Sequence, residues 1–135
     1  MRTVVVGYVE TPEGHAALRE AMSEALRREA QLVVVHSARG GVATDGEDAV
    51  AVKHALNVVQ QELTAEHVPF HIRNLVRGNE PADDLIAMAE EYGAELIVIG
   101  LRRRSNVGKL LLGSNAQRVL MAAQCPVLAV KSDSL

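Results

Sequence analysis

Short apolar runs alternate along this chain with longer segments in which apolar residues recur every three or four positions. A short aliphatic run bounded by turn-forming residues predicts a buried strand, whereas the longer spacing predicts one buried face of a helix. The runs predict strands at 3–9, 31–36, 70–76, 96–99 and 127–130. The spaced segments predict helices at 12–28, 46–67, 81–92 and 115–123. This alternation predicts a three-layer α/β/α fold with a five-stranded parallel sheet.

The polarity of each predicted strand indicates its place in the sheet. The first, second and fourth strands are apolar throughout, as expected of central strands that helices cover on both faces. The third strand alternates apolar with polar residues and is expected at an edge. With right-handed crossovers, these preferences favour the order 3-2-1-4-5, a Rossmann-like arrangement. No linker or repeat divides the sequence, so one domain is expected over residues 1–135.

In that strand order the direction of winding reverses between the first and fourth strands. Ligands of open α/β sheets bind beyond the carboxyl ends of the strands at such a reversal. The loop after Val9 and the loop that begins at Gly100 both lie there, and Ser37 begins the loop after the second strand. We therefore place a candidate binding site among these loops.

The segment 100–114 has the composition of a phosphate-binding loop. It follows a buried strand, contains three consecutive arginines at 102–104 and also Lys109, and leads into a helix. Exposed backbone N–H groups at a helix N-terminus, with cations nearby, favour phosphate. The candidate cations that would neutralise phosphate are Arg102, Arg103, Arg104 and Lys109. Ser114 and the backbone N–H groups of Ser114 and Asn115 are the candidates to hold a phosphate at the start of the fourth helix. The alternative is a solvated loop, or a surface that binds a partner protein.

Composition excludes several other functions. Hydrophobic residues make up 48% and charged residues 23% of the chain, as in soluble globular proteins. Only 2% are aromatic, too few to stack single-stranded nucleic acid, and a net charge of −3 argues against a surface that binds DNA throughout. No apolar run approaches the ~20 residues of a membrane span, so no membrane association is predicted. The chain opens without a secretory signal sequence, which predicts a cytoplasmic protein.

Known catalytic and metal-binding motifs are absent from the sequence. A Walker loop would need a glycine where Arg103 stands. The sequence contains no Gly-x-Ser-x-Gly elbow and no His-Glu-x-x-His pair. No nucleophile, acid and base are expected to converge, so the sequence predicts binding rather than turnover, with at most slow hydrolysis.

Several titratable residues have simpler expected roles. The single cysteine, Cys125, is expected to be a buried, inert thiol. His36 ends a central strand, where it either lines the ligand site or bonds to backbone at the edge of the core. Asp83 and Asp84 are expected to carry surface charge in the first turn of the third helix, where the helix dipole favours acids.

Several short segments together resemble the universal stress protein family. They are Val5-Val6-Gly7 with Pro12-Glu13, Val33-Val34-Val35-His36, Ile97-Val98-Ile99-Gly100, Gly113-Ser114 and Cys125-Pro126-Val127-Leu128-Ala129-Val130. The resemblance covers nearly the whole chain in order and spacing. It implies a fold of the adenine nucleotide alpha hydrolase-like kind. It also implies binding of ATP or another adenine nucleotide, whose phosphates can coordinate Mg²⁺.

The family's nucleotide-binding members carry a glycine, two residues, a glycine, nine residues, a glycine and then serine or threonine. Gly100, Gly113 and Ser114 match this spacing, whereas Arg103 stands at the middle glycine. Val9 stands where such members usually have an aspartate that helps to hold the nucleoside, and valine cannot accept a hydrogen bond. Arginine adds bulk there but also adds donors fit for phosphate. By resemblance, the cofactor-binding residues are Val9, Ser37, Gly100, Arg102, Arg103, Gly113, Ser114 and Asn115.

Two functions stay open from the sequence. The first is a stress-response protein that binds an adenine nucleotide and acts as a sensor or regulator. The second, which Val9 and Arg103 favour, is a nucleotide-independent interaction module of the same fold. The resemblance implies a homodimer for either, and the apolar last strand, 127–130, would otherwise be an exposed edge. Pairing that strand across a two-fold axis would cover it.

Overall fold

The strands and helices of the computed structural model follow the alternation that the sequence predicts. The structure describes residues 1–37, 46–76, 78–103 and 110–132. Its strands are β1 (Thr3–Gly7), β2 (Gln31–Ser37), β3 (Phe70–Leu75), β4 (Leu96–Arg103), β5 (Leu110–Leu111) and β6 (Val127–Lys131). Its helices are α1 (Pro12–Arg28), α2 (Gly46–Ala65), α3 (Pro81–Tyr92) and α4 (Ser114–Ala122).

Five strands form the predicted parallel sheet in the order β3-β2-β1-β4-β6, with β6 as the predicted fifth strand. In the centre, Val5 of β1 lies opposite Val33 of β2 on one side and Ile97 of β4 on the other. β3 lies at one edge and is only partly buried, as its mixed polarity indicates. The winding direction therefore reverses between β1 and β4, and the predicted fold class is confirmed.

The fourth strand is longer than predicted. Residues 100–103, which the sequence analysis assigned to a loop, continue β4 as far as Arg103. β6 pairs with β4 only as far as Leu101, opposite Lys131. Beyond that point β5 turns back and pairs antiparallel with β4, placing Arg102 opposite Leu111. The short β5 supplies backbone partners where β6 no longer does, and the glycine and arginines alone gave no sign of this pairing.

The hydrophobic core is divided between the two faces of the sheet, because successive strand residues point to opposite sides. On one face Val4 and Val6 are fully buried against α1 and α2. On the other face Val5 packs against α3 and α4. The layer of α1 and α2 contributes Ala17, Leu18, Ala21, Leu56, Val59 and Leu63, and the layer of α3 and α4 contributes Ala82, Leu85, Met88, Ala89 and Val119.

The first turn of α1 rests directly on the end of β4. Thr11 caps the helix, since its hydroxyl accepts a hydrogen bond from the Gly14 backbone N–H at 3.1 Å. A methyl group on Gly100 would lie 2.3 Å from the carbonyl oxygen of Glu13, a distance that side chains do not tolerate. Gly100 therefore allows the start of α1 and the end of β4 to meet at the winding reversal.

An ion-pair network joins three elements at the opposite end of the sheet. Glu95 accepts hydrogen bonds from Arg2 at 2.8 and 2.9 Å and from Arg28 at 2.7 Å. The bonds from Arg2 and then Arg28 lower the pKa of Glu95 to about 2. This network ties the N-terminus and the end of α1 to the segment that precedes β4.

Candidate functional site

Two adjoining cavities form one crevice at the carboxyl ends of β1 and β4, where the winding reverses. The inner part has a volume of about 160 Å³. Its apolar lining includes Val35, Leu85, Ile99, Ala116 and Val119. The outer part, about 440 Å³, is lined by the end of β4 and the start of α4. That volume lies within the range of roughly 300–1,000 Å³ that is usual for small-molecule sites.

The structure brings seven of the eight candidate binding residues together around the outer part of the crevice. These seven are Val9, Ser37, Gly100, Arg102, Gly113, Ser114 and Asn115. They come from four segments that are distant in sequence, so the strand order gathers them. The eighth, Arg103, belongs to β4, but its side chain lies outside the described residues. Arg104 and Lys109 also lie outside them.

Gly113 lacks the packing reason that explains Gly100. Its φ of −68° and ψ of 168° are open to any residue. A methyl group added there would meet nothing within 4 Å among the described residues. The absence of a side chain instead leaves the outer crevice open next to the first turn of α4. Glycines in this position allow a ligand to approach backbone closely.

The N-termini of α3 and α4 meet at the crevice. Asn115, in the first turn of α4, accepts a hydrogen bond through Oδ1 from the backbone N–H of Ala82 in α3 at 3.0 Å. The residue before α4, Gly113, supplies no side-chain cap. The first N–H groups of α4 carry the positive end of the helix dipole and suit an anion. The side chain of Asn115 thus joins the helices, while the backbone of Ser114 and Asn115 remains suited to a ligand.

The described lining of the outer crevice includes charged residues of both signs. Arg102 is exposed and lines the outer part, and so does Glu13 at the start of α1. Among the described lining residues, these two are the charged ones. Among the described residues this cation and this anion offset each other, so the described feature that favours phosphate is the N-terminus of α4.

Val9 lies at the rim of the crevice and offers no polar atom from its side chain. It is 48% exposed, so it borders the crevice without closing it. The neighbouring acid, Glu10, does not replace the missing carboxylate, because it accepts hydrogen bonds from the Tyr8 hydroxyl and from His15, the latter at 2.9 Å. The hydrogen bond from Tyr8 lowers the pKa of Glu10 most, and the bond from His15 lowers it further.

A buried carboxylate lies behind Ser37. Asp84 is fully buried, and its two oxygens accept hydrogen bonds from the Ser37 hydroxyl at 2.6 Å and the Asn79 amide at 3.0 Å. The expectation that Asp84 carries surface charge is therefore wrong, whereas Asp83 is half exposed and pairs with Arg118 at 3.2 Å. The sequence could have indicated that Asp84 is buried, because residue 84 lies one helical turn before the buried Met88 and so on the same face of α3.

Two further expectations need correction. His36 neither lines the crevice nor bonds to backbone among the described residues; its Nδ1 lies 3.0 Å from Oδ1 of Asn74 on β3. Cys125 is only partly buried rather than fully so, and partial burial raises the pKa of its thiol. A raised pKa leaves less thiolate at neutral pH, so low reactivity is still expected.

The described ranges contain neither a metal-binding cluster nor a membrane-spanning helix. The residues of 1–37, 46–76, 78–103 and 110–132 include no cluster of three or more His, Cys, Asp or Glu side chains that could hold a metal ion. In the same part of the chain, every helix is too short or too polar to cross a bilayer.

Comparison of the sequence with known proteins gives consistent matches over nearly its full length. The model of the Universal stress protein family matches residues 1–131. A universal stress protein of Mycolicibacterium smegmatis is 41% identical over 128 residues, which cover 95% of this chain and 96% of that protein.

Two solved structures with bound nucleotides are also similar. A universal stress protein from Archaeoglobus fulgidus in complex with dAMP superposes with a TM-score of 0.76 at 34% identity, covering 97% of this chain and 98% of that one. A universal stress protein in complex with cAMP superposes with a TM-score of 0.75 at 25% identity, covering 96% of each chain.

Proposed function

The chain belongs to the universal stress protein family, and on that basis we propose that it binds an adenine nucleotide, ATP or AMP, in the crevice and acts as a sensor or regulator in a stress response. The observation that carries the proposal is the convergence of seven candidate residues on a cavity at the winding reversal. The dAMP and cAMP complexes of the two similar proteins support adenine as the base.

In this proposal the phosphate end of the nucleotide lies at the start of α4. Gly113 leaves room for close approach, and the backbone N–H groups of Ser114 and Asn115 donate to phosphate oxygens. Arg102 adds a charged donor from the end of β4. Mg²⁺ would accompany ATP, bound through its phosphates.

The nucleoside end lies toward the inner part of the crevice. The apolar walls around Leu85 and Ile99 suit the faces of a base. Because the side chain of Val9 cannot accept a hydrogen bond from ribose, we expect weaker binding than an aspartate would give at that position. We propose a cytoplasmic protein that binds rather than turns over its nucleotide.

Isothermal titration calorimetry with ATP, ADP, AMP and adenosine tests this function. Arg102→Ala removes a cation that lines the outer crevice. The control, Arg118→Ala, removes a cation of α4 that pairs with Asp83 of α3. For an exposed charge–phosphate contact we expect Arg102→Ala to weaken ATP about three- to tenfold and adenosine hardly at all. Arg118→Ala should change neither. Absence of heat and of any melting shift with millimolar nucleotide would refute the proposal.

A nucleotide-independent, dimeric interaction module is the second candidate, and the half-buried state of β6 favours its dimeric part. Residues 127–130 are apolar yet only partly buried, and among the described strands β6 pairs with β4 alone. We propose that two copies pair these edges across a two-fold axis.

Sedimentation velocity at micromolar concentration tests the dimer. The Pro126 carbonyl accepts from Ile97 in β4, so by alternation the backbone N–H of Ala129 points away from β4. Ala129→Pro should therefore block edge pairing while sparing the sheet's own ladder. We expect a wild-type dimer and a monomeric variant. A wild-type monomer contradicts the dimer, and a dimer without nucleotide binding would favour the second candidate.

A further inference from the structure

We propose that Ser37 is a specificity-determining residue of the crevice, held by Asp84 as a hydrogen-bond acceptor that selects ligands presenting an N–H or O–H donor. This inference rests on the proposed nucleotide site and adds to it the kind of ligand group that is recognised. The hydroxyl of Ser37 bonds to the carboxylate of Asp84, which is fully buried behind it.

The bonding around Asp84 determines the direction of the hydrogen bond from Ser37. A carboxylate has no proton to give, so Asp84 accepts from Ser37 and from Asn79. The Ser37 hydroxyl carries one hydrogen, and the 2.6 Å bond to Asp84 uses it. A bond this short to a fully buried oxygen is the strong, charge-assisted kind and is hard to exchange for a ligand.

With its hydrogen committed, Ser37 can offer a ligand only lone pairs. Ser37 lines both the inner and the outer part of the crevice. Among the described residues its hydroxyl has Asp84 as its one side-chain partner. A carbonyl oxygen placed against it would meet an acceptor, whereas an amino or hydroxyl group would complete a hydrogen bond. Asp84 thus acts as a positioning residue for Ser37.

The surroundings of Ser37 strengthen this selection. The inner crevice is walled by buried side chains such as Val35 and Leu85, and the side chain of the nearby Val9 adds no polar atom. A polar ligand group that enters this place without a hydrogen-bond partner loses its bonds to water and gains no bond in return, which disfavours binding. Two groups of an adenine nucleotide could supply the donor, the 6-amino group of the base and a ribose hydroxyl.

Calorimetric titrations with matched nucleotides separate these two sources. AMP is compared with IMP and purine riboside monophosphate, which lack the 6-amino group, and with 2′-deoxy-AMP and 3′-deoxy-AMP, which each lack one ribose hydroxyl. Each titration is run on the wild type, on Ser37→Ala and on Ser37→Thr, which keeps the hydroxyl. For one hydrogen bond we expect Ser37→Ala to weaken AMP about threefold to tenfold and to leave the analogue lacking the recognised donor unchanged. Ser37→Thr should restore the discrimination.

Asp84→Asn tests the positioning role. An asparagine amide at this position can accept from Asn79 and donate to the Ser37 oxygen, which frees the Ser37 hydrogen for the crevice. If the 6-amino group is recognised, the ratio of AMP to IMP affinity should fall by about tenfold in this variant. A ribose hydroxyl can donate or accept, so recognition of ribose predicts an unchanged ratio together with loss of discrimination in Ser37→Ala. A purely structural role for Asp84 would weaken all nucleotides alike.

The outcomes distinguish this inference from the function on which it rests. If the wild type binds AMP and Ser37→Ala weakens all five nucleotides by the same factor, or none, the inference is overturned and the proposed function stands. If the wild type binds none of the five, both are overturned. Should Asp84→Asn fail to fold, as its melting curve would reveal, the Ser37→Ala titrations decide the acceptor role alone.

Discussion

Replacing Gly113 with alanine should separate the needs of a ligand from those of the fold. The φ of −68° and ψ of 168° suit alanine, and its methyl group would meet nothing within 4 Å. Losing the flexibility of glycine in the unfolded chain stabilises by about 0.4–1 kcal/mol. Alanine is a poorer helix N-cap than glycine by a similar amount. We therefore expect the free energy of unfolding to change by less than about 0.5 kcal/mol.

Nucleotide affinity should respond differently to the same change. In the proposed site a phosphate lies against the Gly113 backbone, and the new methyl group would occupy part of that space. Overpacked contacts typically cost about 1–3 kcal/mol, which corresponds to a loss of affinity of roughly 5- to 150-fold. The loss should be larger for ATP than for adenosine, because the methyl group lies at the phosphate end.

Gly100→Ala is the matched comparison. Its methyl group would lie 2.3 Å from the carbonyl oxygen and 2.8 Å from the carbonyl carbon of Glu13, so the backbone of α1 or β4 has to move. We expect a loss of about 1–3 kcal/mol in the free energy of unfolding, or roughly 4–12 °C in Tm for a chain of this length.

Calorimetric melting without ligand and titration with ATP measure both quantities for each variant. A Gly113→Ala protein that binds ATP like the wild type would refute the placement of phosphate at α4. A Gly113→Ala protein that melts several degrees lower would show that the fold itself needs this glycine. A Gly100→Ala protein as stable as the wild type would contradict the tight contact between α1 and β4.

Two further predictions concern charged residues away from the ligand. Because the folded-state pKa of Glu95 is lowered to about 2 from an ordinary 4.5, its contribution to stability is complete above pH 4.5 and is lost as the pH falls toward 2. Urea unfolding between pH 2 and 6 should therefore show a shallower pH dependence in Glu95→Gln than in the wild type; identical slopes would contradict this. Asp83→Ala, which breaks a half-exposed ion pair, should cost less than about 1 kcal/mol by urea unfolding. Asp84→Ala, which removes the buried acceptor of Ser37 and Asn79, should cost about 2–5 kcal/mol. Equal losses in the two variants would show that Asp84 is not the buried acceptor described here.

The fold was predictable because the sequence patterns behind it are local and strong. Unbroken apolar runs identified the central strands, and the mixed polarity of residues 70–75 identified the edge. The observed helix ends also carry residue types typical of such places: Thr11 caps α1, and Gly93, with a left-handed φ of 60°, ends α3. The hairpin of β4 with β5 was missed, because pairing between two short segments depends on where β6 ends, which local pattern does not reveal.

The candidate site was predictable in position but not in chemistry. The winding reversal and the Gly113-Ser114 pair located it, since topology alone brings the loops together. The roles of individual side chains depended on contacts across the fold. Asp84 was predicted to carry surface charge, but it is buried and accepts a hydrogen bond from Ser37. The Asn115 side chain accepts a hydrogen bond from the backbone of α3.

The contact of Gly100 with the first turn of α1 makes one side of the molecule more rigid than the other. The Glu13 carbonyl packs so closely on β4 at Gly100 that α1 and the central strands are expected to move together. Across the sheet, the crevice wall formed by α3 and α4 includes a side-chain tether from Asn115 to Ala82, which can lengthen or break without unfolding a helix. We therefore expect conformational changes caused by ligand binding to occur mainly in the α3 and α4 layer. A partner protein that responds to the bound ligand is expected to bind on that side.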